Sequence, residues 1–153
     1  MHEHIPALLS KTMERYVLPA IASCATASIT FDLWMSRAGF DTFALVVNFI
    51  DDCWELRHVT VGLFEAHDTS GLAIAEIVKP LLDEFQLTKK IIAWVKDEGS
   101  NLTTLERALQ LTVSCDVLDI KQPYAGACFG HVMSKACQYA TDDDKVCKDM
   151  TEL

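Results

Sequence analysis

Residues 28–35 read Ser-Ile-Thr-Phe-Asp-Leu-Trp-Met, and this stretch decides the fold. Its apolar residues Ile29, Phe31 and Leu33 occupy alternate positions. Such an alternation is typical of a β-strand that turns one face toward a core. Asp32 interrupts the strand at its centre. A carboxylate within a sheet is costly unless it is paired, protonated or bound to a metal ion, so Asp32 is the first residue that suggests chemistry.

Two more strands are predicted directly after this one. Residues 43–50 are apolar on both faces except at Asn48, which indicates a central strand. Residues 54–65 carry apolar side chains on one face. Only the short turns 36–41 and 51–52 separate the three strands, so we expect an antiparallel meander.

Outside the meander, the apolar spacing indicates helices. Thr69 or Ser70 is available as the N-cap of the helix after the meander, and Pro80 should kink that helix. Thr103 and Glu106 could form a capping box at the start of the next one. The predicted elements are helices over 5–21, 74–85, 102–109 and 129–140, a fourth strand over 89–96, and a loop over 114–126.

This order predicts an α/β fold with a mixed sheet of the RNase H-like type. Three antiparallel strands and a crossover helix are followed by a fourth strand, which a right-handed crossover places parallel to the first. We expect a helical segment over 1–25, a partial RNase H-like core over 26–140, and an acidic tail over 141–153. The tail could be the start of a truncated insertion domain.

Composition narrows the class of protein. The chain has 153 residues, of which 50% are hydrophobic, and a net charge of −9. It suits one domain, and its apolar runs are too short for a membrane helix. An acidic chain is a poor non-specific binder of nucleic acid, so any contact with DNA must come from a local site, a metal ion or another segment. Six cysteines are spread along the chain without a Cys-x-x-Cys pair, which favours a reducing, intracellular location.

A second acid stands where the fourth strand ends, at Asp97. If strands one and four are neighbours, ~4.8 Å apart, Asp32 and Asp97 can converge. Their hard oxygen ligands suit Mg²⁺ or Mn²⁺, which support phosphoryl transfer. The alternative is that Asp32 faces solvent and Asp97 merely caps the following helix.

Three motifs resemble the hAT transposases and their domesticated relatives, many of which are BED-type zinc-finger proteins. They are Phe-Asp-Leu-Trp-Met-Ser over 31–36, Asp-Glu-Gly-Ser-Asn over 97–101, and Cys-Phe-Gly-His over 128–131. The resemblance covers roughly residues 5–140 and implies a nuclear protein whose intact parent cuts and joins DNA strands through two metal ions. It makes Asp32, in the pattern Asp-x-Trp, and Asp97 the first two catalytic metal ligands.

The resemblance also implies what this chain lacks. The family's third acid, a Glu, lies beyond a helical insertion domain, and no residue before Leu153 takes its place. The BED finger and the dimerisation segment that would make the parent a homodimer are absent as well. Glu98 and Gly99 replace the family's usual Asn-Ala. We therefore expect weak Mg²⁺ or Mn²⁺ binding and no turnover by the chain alone.

Cys128 and His131 lie three residues apart, so one helix face could present both to a partner, with Lys135 close by. The resemblance implies that these three residues contact or position DNA. The alternative is a polar helix face with no partner. Structural zinc is not favoured, because Cys137 would lie on the opposite side of the helix from Cys128. Adding Cys115 to Cys128 and His131 would still give fewer than the usual four zinc ligands.

Two other functions stay open at this point. One is a domesticated, non-catalytic nuclear module that binds DNA or protein. The other is a complete small nuclease, which would need a third carboxylate from Asp116, Asp119 or Asp142. Trp34 is expected in the core, since tryptophans are usually largely buried.

Overall fold

The structure, a computed structural model, describes residues 4–35, 39–97 and 99–142. Its helices are α1 (His4–Thr12), α2 (Leu18–Ser23), α3 (Gly71–Glu84), α4 (Ser100–Leu109) and α5 (Phe129–Asp142), with a π-helical segment over Met13–Val17 and a 3₁₀ turn over Asp116–Leu118. Its strands are β1 (Ala27–Met35), β2 (Asp41–Ile50), β3 (Leu56–Glu65), β4 (Ile91–Lys96) and β5 (Tyr124–Ala127). Within these residues, no helix has the length and apolar character that crossing a membrane requires.

The strands form one mixed sheet in the order β3-β2-β1-β4-β5. β2 pairs antiparallel with both β1 and β3, whereas β4 pairs parallel with β1. The crossover from β3 to β4 runs through α3. This confirms the predicted fold class, an α/β mixed sheet of the RNase H-like type.

One face of the sheet is covered by helices and holds the core; we call it the helix-covered face. The Phe31 ring lies 6.4 Å from the ring of Phe43 and 6.3 Å from that of Trp94, so neighbouring strands share an aromatic layer. Helices α3 and α4 bury leucine, isoleucine and valine side chains over this layer. The buried residues that line it from the helices are Ile74, Val78, Leu82, Leu102, Leu105 and Leu109.

The opposite face, which we call the open face, carries the other set of alternating residues. Its members on β1 are Ser28, Thr30, Asp32 and Trp34, all half-buried or exposed. Asn48 of β2 donates a hydrogen bond from Nδ2 to Thr30 Oγ1 at 3.2 Å. Trp34 belongs to this face and is exposed, so the prediction that it lies in the core is wrong.

Two other details of the prediction are also wrong. Residues 124–127, within and just beyond the predicted loop, form β5, which pairs parallel with β4. The sequence Tyr-Ala-Gly-Ala is short and lacks β-branched residues, so its pairing with β4 rather than its own propensity makes it a strand. The capping box does not form, because α4 begins at Ser100 and Glu106 instead pairs with Lys96.

The predicted N-cap of the helix after the meander is confirmed. Ser70 is the N-cap of α3 and its Oγ accepts a hydrogen bond from the Ala73 amide at 3.4 Å. Pro80 lies inside α3, which runs from Gly71 to Glu84, and the kink expected there stays a prediction. α5 carries the predicted apolar stripe, yet Phe129 and Met133 are exposed on it.

The division into three segments stays a prediction. Ile21 of α2 is buried in the same core as the sheet, so α2 packs on the domain. The predicted acidic tail lies outside the described residues beyond position 142, and Glu98 and Ser36 of the motifs lie outside them as well.

Candidate functional site

The parallel pairings of β1 with β4 and of β4 with β5 stop at the same level of the sheet, and the sequence-predicted residues lie there. The last paired residues there are Phe31 on β1, Lys96 on β4 and Ala127 on β5. The residues that follow these three are Asp32, which is still within β1, and Asp97 and Cys128, which come directly after β4 and β5. Because neighbouring strands lie ~4.8 Å apart, these three residues follow one another side by side. The edge at which ligands bind in open α/β sheets is also this one.

The side-chain direction of Lys96 shows which face Asp97 belongs to. Lys96 Nζ lies 3.0 Å from Thr103 Oγ1 and 3.5 Å from Glu106 Oε2, both on α4, so its side chain is on the helix-covered face. Successive side chains of a strand point to opposite faces. Asp97, the next residue, therefore belongs with Asp32 on the open face.

The Lys96 contacts also fix the turn that carries Asp97. The side chains of Lys96 and Glu106 are only 14% and 12% exposed, so this ion pair is largely shielded from water. The Thr103 amide and hydroxyl both donate to the Gly99 carbonyl, at 3.1 and 3.3 Å. Lys96, just before the acid, is thus bound to α4, and Gly99, just after it, is bound to the first turn of α4.

The start of α5 adds a residue to the acidic pair. His131 Nε2 lies 3.1 Å from Asp97 Oδ2, and both side chains are partly exposed. The Cys128 amide donates to the Lys96 carbonyl at 2.9 Å, and the His131 amide donates to the Cys128 carbonyl at 3.1 Å. Lys135 lies about one turn further along α5 and is exposed. The Cys-x-x-His motif therefore lies beside the acids, while its contact with DNA stays a prediction.

The contact between His131 and Asp97 was not predicted from the sequence. The spacing placed Cys128 and His131 on one helix face, and the family resemblance implied DNA as their partner. The signal that could have revealed the contact is the short segment 124–127 immediately before Cys128. Once that segment is read as a strand beside β4, residue 128 must follow next to residue 97.

The donor set at this edge suits a hard divalent cation. Mg²⁺ in proteins is commonly bound by one or two carboxylates, and water and substrate phosphate oxygens complete its coordination shell. Among the residues that the structure describes, no three His, Cys, Asp or Glu side chains are grouped so that they could hold a metal ion. Metal binding by Asp32 and Asp97 therefore stays a prediction.

The strand order and the crossover from β3 to β4 define an RNase H-like fold. A family model described as the ZBED1 RNase-like domain matches residues 30–122, which is more than half of the chain. The chain belongs to the ZBED1 RNase-like domain family.

A relative from Talaromyces stipitatus bears the name "Putative transcriptional regulator tpeD". It is 24% identical over 136 residues, a region that spans 87% of this chain and 16% of the relative. The chain therefore corresponds to a small part of that much longer protein.

Proposed function

We propose that this chain is part of a hAT-derived RNase H-like domain whose residues Asp32 and Asp97 bind Mg²⁺ or Mn²⁺ weakly, and that it does not cleave DNA by itself. The observation that carries the proposal is that Asp32 and Asp97 each follow directly on Phe31 and Lys96, the last residues paired between the neighbouring parallel strands β1 and β4. Membership of the ZBED1 RNase-like family supports the hAT origin.

The position of two alternative acids, Asp116 and Asp119, supports the lack of turnover. The Asp116 amide donates to the Lys89 carbonyl at 3.0 Å, and the Asp119 amide donates to the Asp116 carbonyl at 3.2 Å. Lys89 lies two residues before β4, whereas Asp97 directly follows it. Asp116 and Asp119 therefore lie at the opposite end of a strand ~20 Å long and cannot complete the site. This argues against a complete small nuclease built on either of them.

A cation bound here would hold a DNA phosphate and stabilise charge on its oxygens. The side chains around it would then have separate roles. Asp32 and Asp97 would be ligands, His131 would hold the Asp97 carboxylate in place, and Cys128 and Lys135 would face the DNA backbone. A DNA-acting domain of this kind implies a nuclear location, which the name of the regulator relative also supports.

Paramagnetic broadening by Mn²⁺ tests the metal site. In ¹H–¹⁵N spectra of the chain, Mn²⁺ at millimolar concentration should broaden the amide signals around residues 32 and 97 first. The double variant Asp32→Asn/Asp97→Asn should lose this selectivity. Asp119→Asn, which removes an exposed acid at the far end of the sheet, should keep it. Equal broadening of the two variants would contradict the site.

Nicking of supercoiled plasmid tests the lack of turnover. The chain alone should give no Mn²⁺-dependent nicking above a buffer control. A nicking activity that Asp32→Ala abolishes would show that the chain completes a catalytic site.

A second candidate is a non-catalytic interaction module in a larger nuclear regulator. The observation that favours it is the amount of apolar surface left exposed, on the open face and on Phe129 and Met133 of α5. The name of the T. stipitatus relative is consistent with it. If Mn²⁺ broadens no signals selectively, this candidate replaces the first.

A further inference from the structure

The turn between β2 and β3 holds a large aromatic side chain in solvent. Trp54 has a φ of +61° and is 87% exposed. A bulky residue in the left-handed region is strained, and such residues persist only where their surroundings impose the conformation. The fold therefore holds Trp54 in a backbone conformation that bulky residues disfavour, and it exposes to water an apolar side chain that would otherwise be buried.

Asp51 is the residue that imposes this conformation. Its Oδ1 accepts hydrogen bonds from the Cys53 amide at 2.9 Å and the Glu55 amide at 3.0 Å, and its Oδ2 accepts one from Arg57 Nε at 2.7 Å. These three bonds bracket position 54 on both sides. The turn is thus preorganised, which reduces the entropy that a partner must remove on binding.

Trp54 does not stand alone. Ile50 and Leu56, which flank the turn, are also exposed, and we call these three residues the hairpin patch. A depression of about 420 Å³ is lined by Ile50, Trp54 and Thr26 among others. A second, of about 200 Å³, is lined by Ile50, Leu56 and Ile92 on the open face. The patch thus offers an aromatic anchor beside two recesses large enough for apolar side chains.

The charge around the hairpin patch is negative. Asp52 and Glu55 are exposed in the turn itself. The nearby cation, Arg57, is already paired with Asp51 and, at 2.6 Å, with Glu55. A partner segment that is basic as well as apolar would therefore complement both features of this surface.

The same charge argues against the other occupants. A second copy of the chain would bring a further net charge of −9. The chain's own segment 141–153 contains five acidic and two basic residues. DNA would meet the carboxylates of the turn. None of these is complementary to an acidic rim.

We propose that the hairpin patch docks a basic peptide segment of a partner protein. An apolar side chain of that segment would occupy the recess beside Trp54, and a Lys or Arg would lie over the Trp54 ring and near Asp52 and Glu55. The surface lies at the end of β2 opposite the Asp32–Asp97 edge, since Ala27 at the start of β1 pairs with Phe49. It is therefore independent of the metal site.

The experiment uses two synthetic 12-residue amphipathic peptides that share one leucine pattern and carry either lysine or glutamate between the leucines. The lysine peptide should shift the Trp54 indole N–H signal saturably and leave that of buried Trp94 unchanged. By fluorescence anisotropy of the labelled peptide, Trp54→Ser should weaken binding about tenfold. Asp52→Asn/Glu55→Gln should weaken it by a smaller factor, about threefold, and reduce its salt dependence.

Leu111→Ser is the matched control, because Leu111 follows α4 and is 89% exposed. This variant should bind the lysine peptide as the unaltered chain does. The Trp94 indole signal reports that each variant is folded. Absence of lysine-peptide binding, equal binding of the glutamate peptide, or equal loss in Leu111→Ser would overturn the proposal. A Trp54 shift that depends on protein concentration without peptide would assign the patch to a second copy instead.

Discussion

The two faces of the sheet are built from the same strands and carry opposite chemistry. On the helix-covered face, Phe31, Leu45 and Trp94 are almost fully buried. On the open face, the residues next to them in sequence are Asp32, Ala44 and Val95, none of which is buried. One face holds the fold together, and the other presents side chains to solvent or to a ligand.

This difference explains how an acid can occupy the middle of a central strand. Asp32 lies between Phe31 and Leu33 in sequence but projects to the face where water can solvate it. The cost of burying a carboxylate is therefore not incurred. Among the described residues, no buried side chain is polar or charged. The fold thus separates its stability from its chemistry by strand alternation alone.

The largest expected effect compares one leucine from each face. Leu45 on β2 is fully buried, whereas Leu63 on β3 is 65% exposed. Leu45→Ala should lower the free energy of unfolding by about 2–5 kcal/mol, since it leaves a cavity under α3. Leu63→Ala should change it by no more than about 0.5 kcal/mol.

Urea denaturation of both variants measures the difference, with unchanged slopes as the check on two-state unfolding. Comparable losses for the two leucines would mean that the open face is covered in solution. In that case the contrast between the faces does not hold.

The strand alternation that produces this contrast was readable from the sequence, and the edge site only in part. Ile29, Phe31 and Leu33 mark β1 because the period of a strand is a local property. The acids Asp32 and Asp97 could be brought together by inference, since the order of elements implied parallel neighbours. The partnership of His131 with Asp97 could not, because it depends on β5, whose four residues pair through the sheet rather than through their own propensity.

The exposure of Trp34 was missed for a different reason. Average burial favours a tryptophan in the core, but burial in a sheet depends on which face is covered. Strand alternation places Trp34 on the same face as Asp32. Whether helices cover that face is decided by crossover handedness and the length of the chain packed there, which no single strand encodes.

An intermediate effect is expected where the helix-covered face supports the open one. Lys96→Met should lower the free energy of unfolding by roughly 1–3 kcal/mol, because it leaves the shielded Glu106 carboxylate without its ion pair. The double variant Lys96→Met/Glu106→Gln should lose less than the sum of the two single variants, since the two groups act together. Additive losses in thermal or urea unfolding would show that the pair does not couple β4 to α4.

The smallest expected effect is a change in the pH dependence of stability, which should depend on the charged turn between β2 and β3. Hydrogen bonds from Arg57 and from the Glu55 and Cys53 amides hold the pKa of Asp51 below its ordinary value. A carboxyl with a lowered pKa in the folded state contributes stability above the unfolded pKa, ~3.9, and loses it as the pH falls through the folded value. The unaltered chain should therefore lose stability as the pH falls below ~4.

Asp51→Asn should remove part of that acid dependence while keeping an oxygen that can accept the amide hydrogen bonds. Part of the dependence should remain, because the Ser70 amide and hydroxyl also lower the pKa of Asp68. Urea unfolding midpoints of both proteins between pH 2 and pH 6 measure the difference. A pH profile identical in the two proteins would place its source away from the hairpin turn, and Trp54 would then be held outward without help from a charged Asp51.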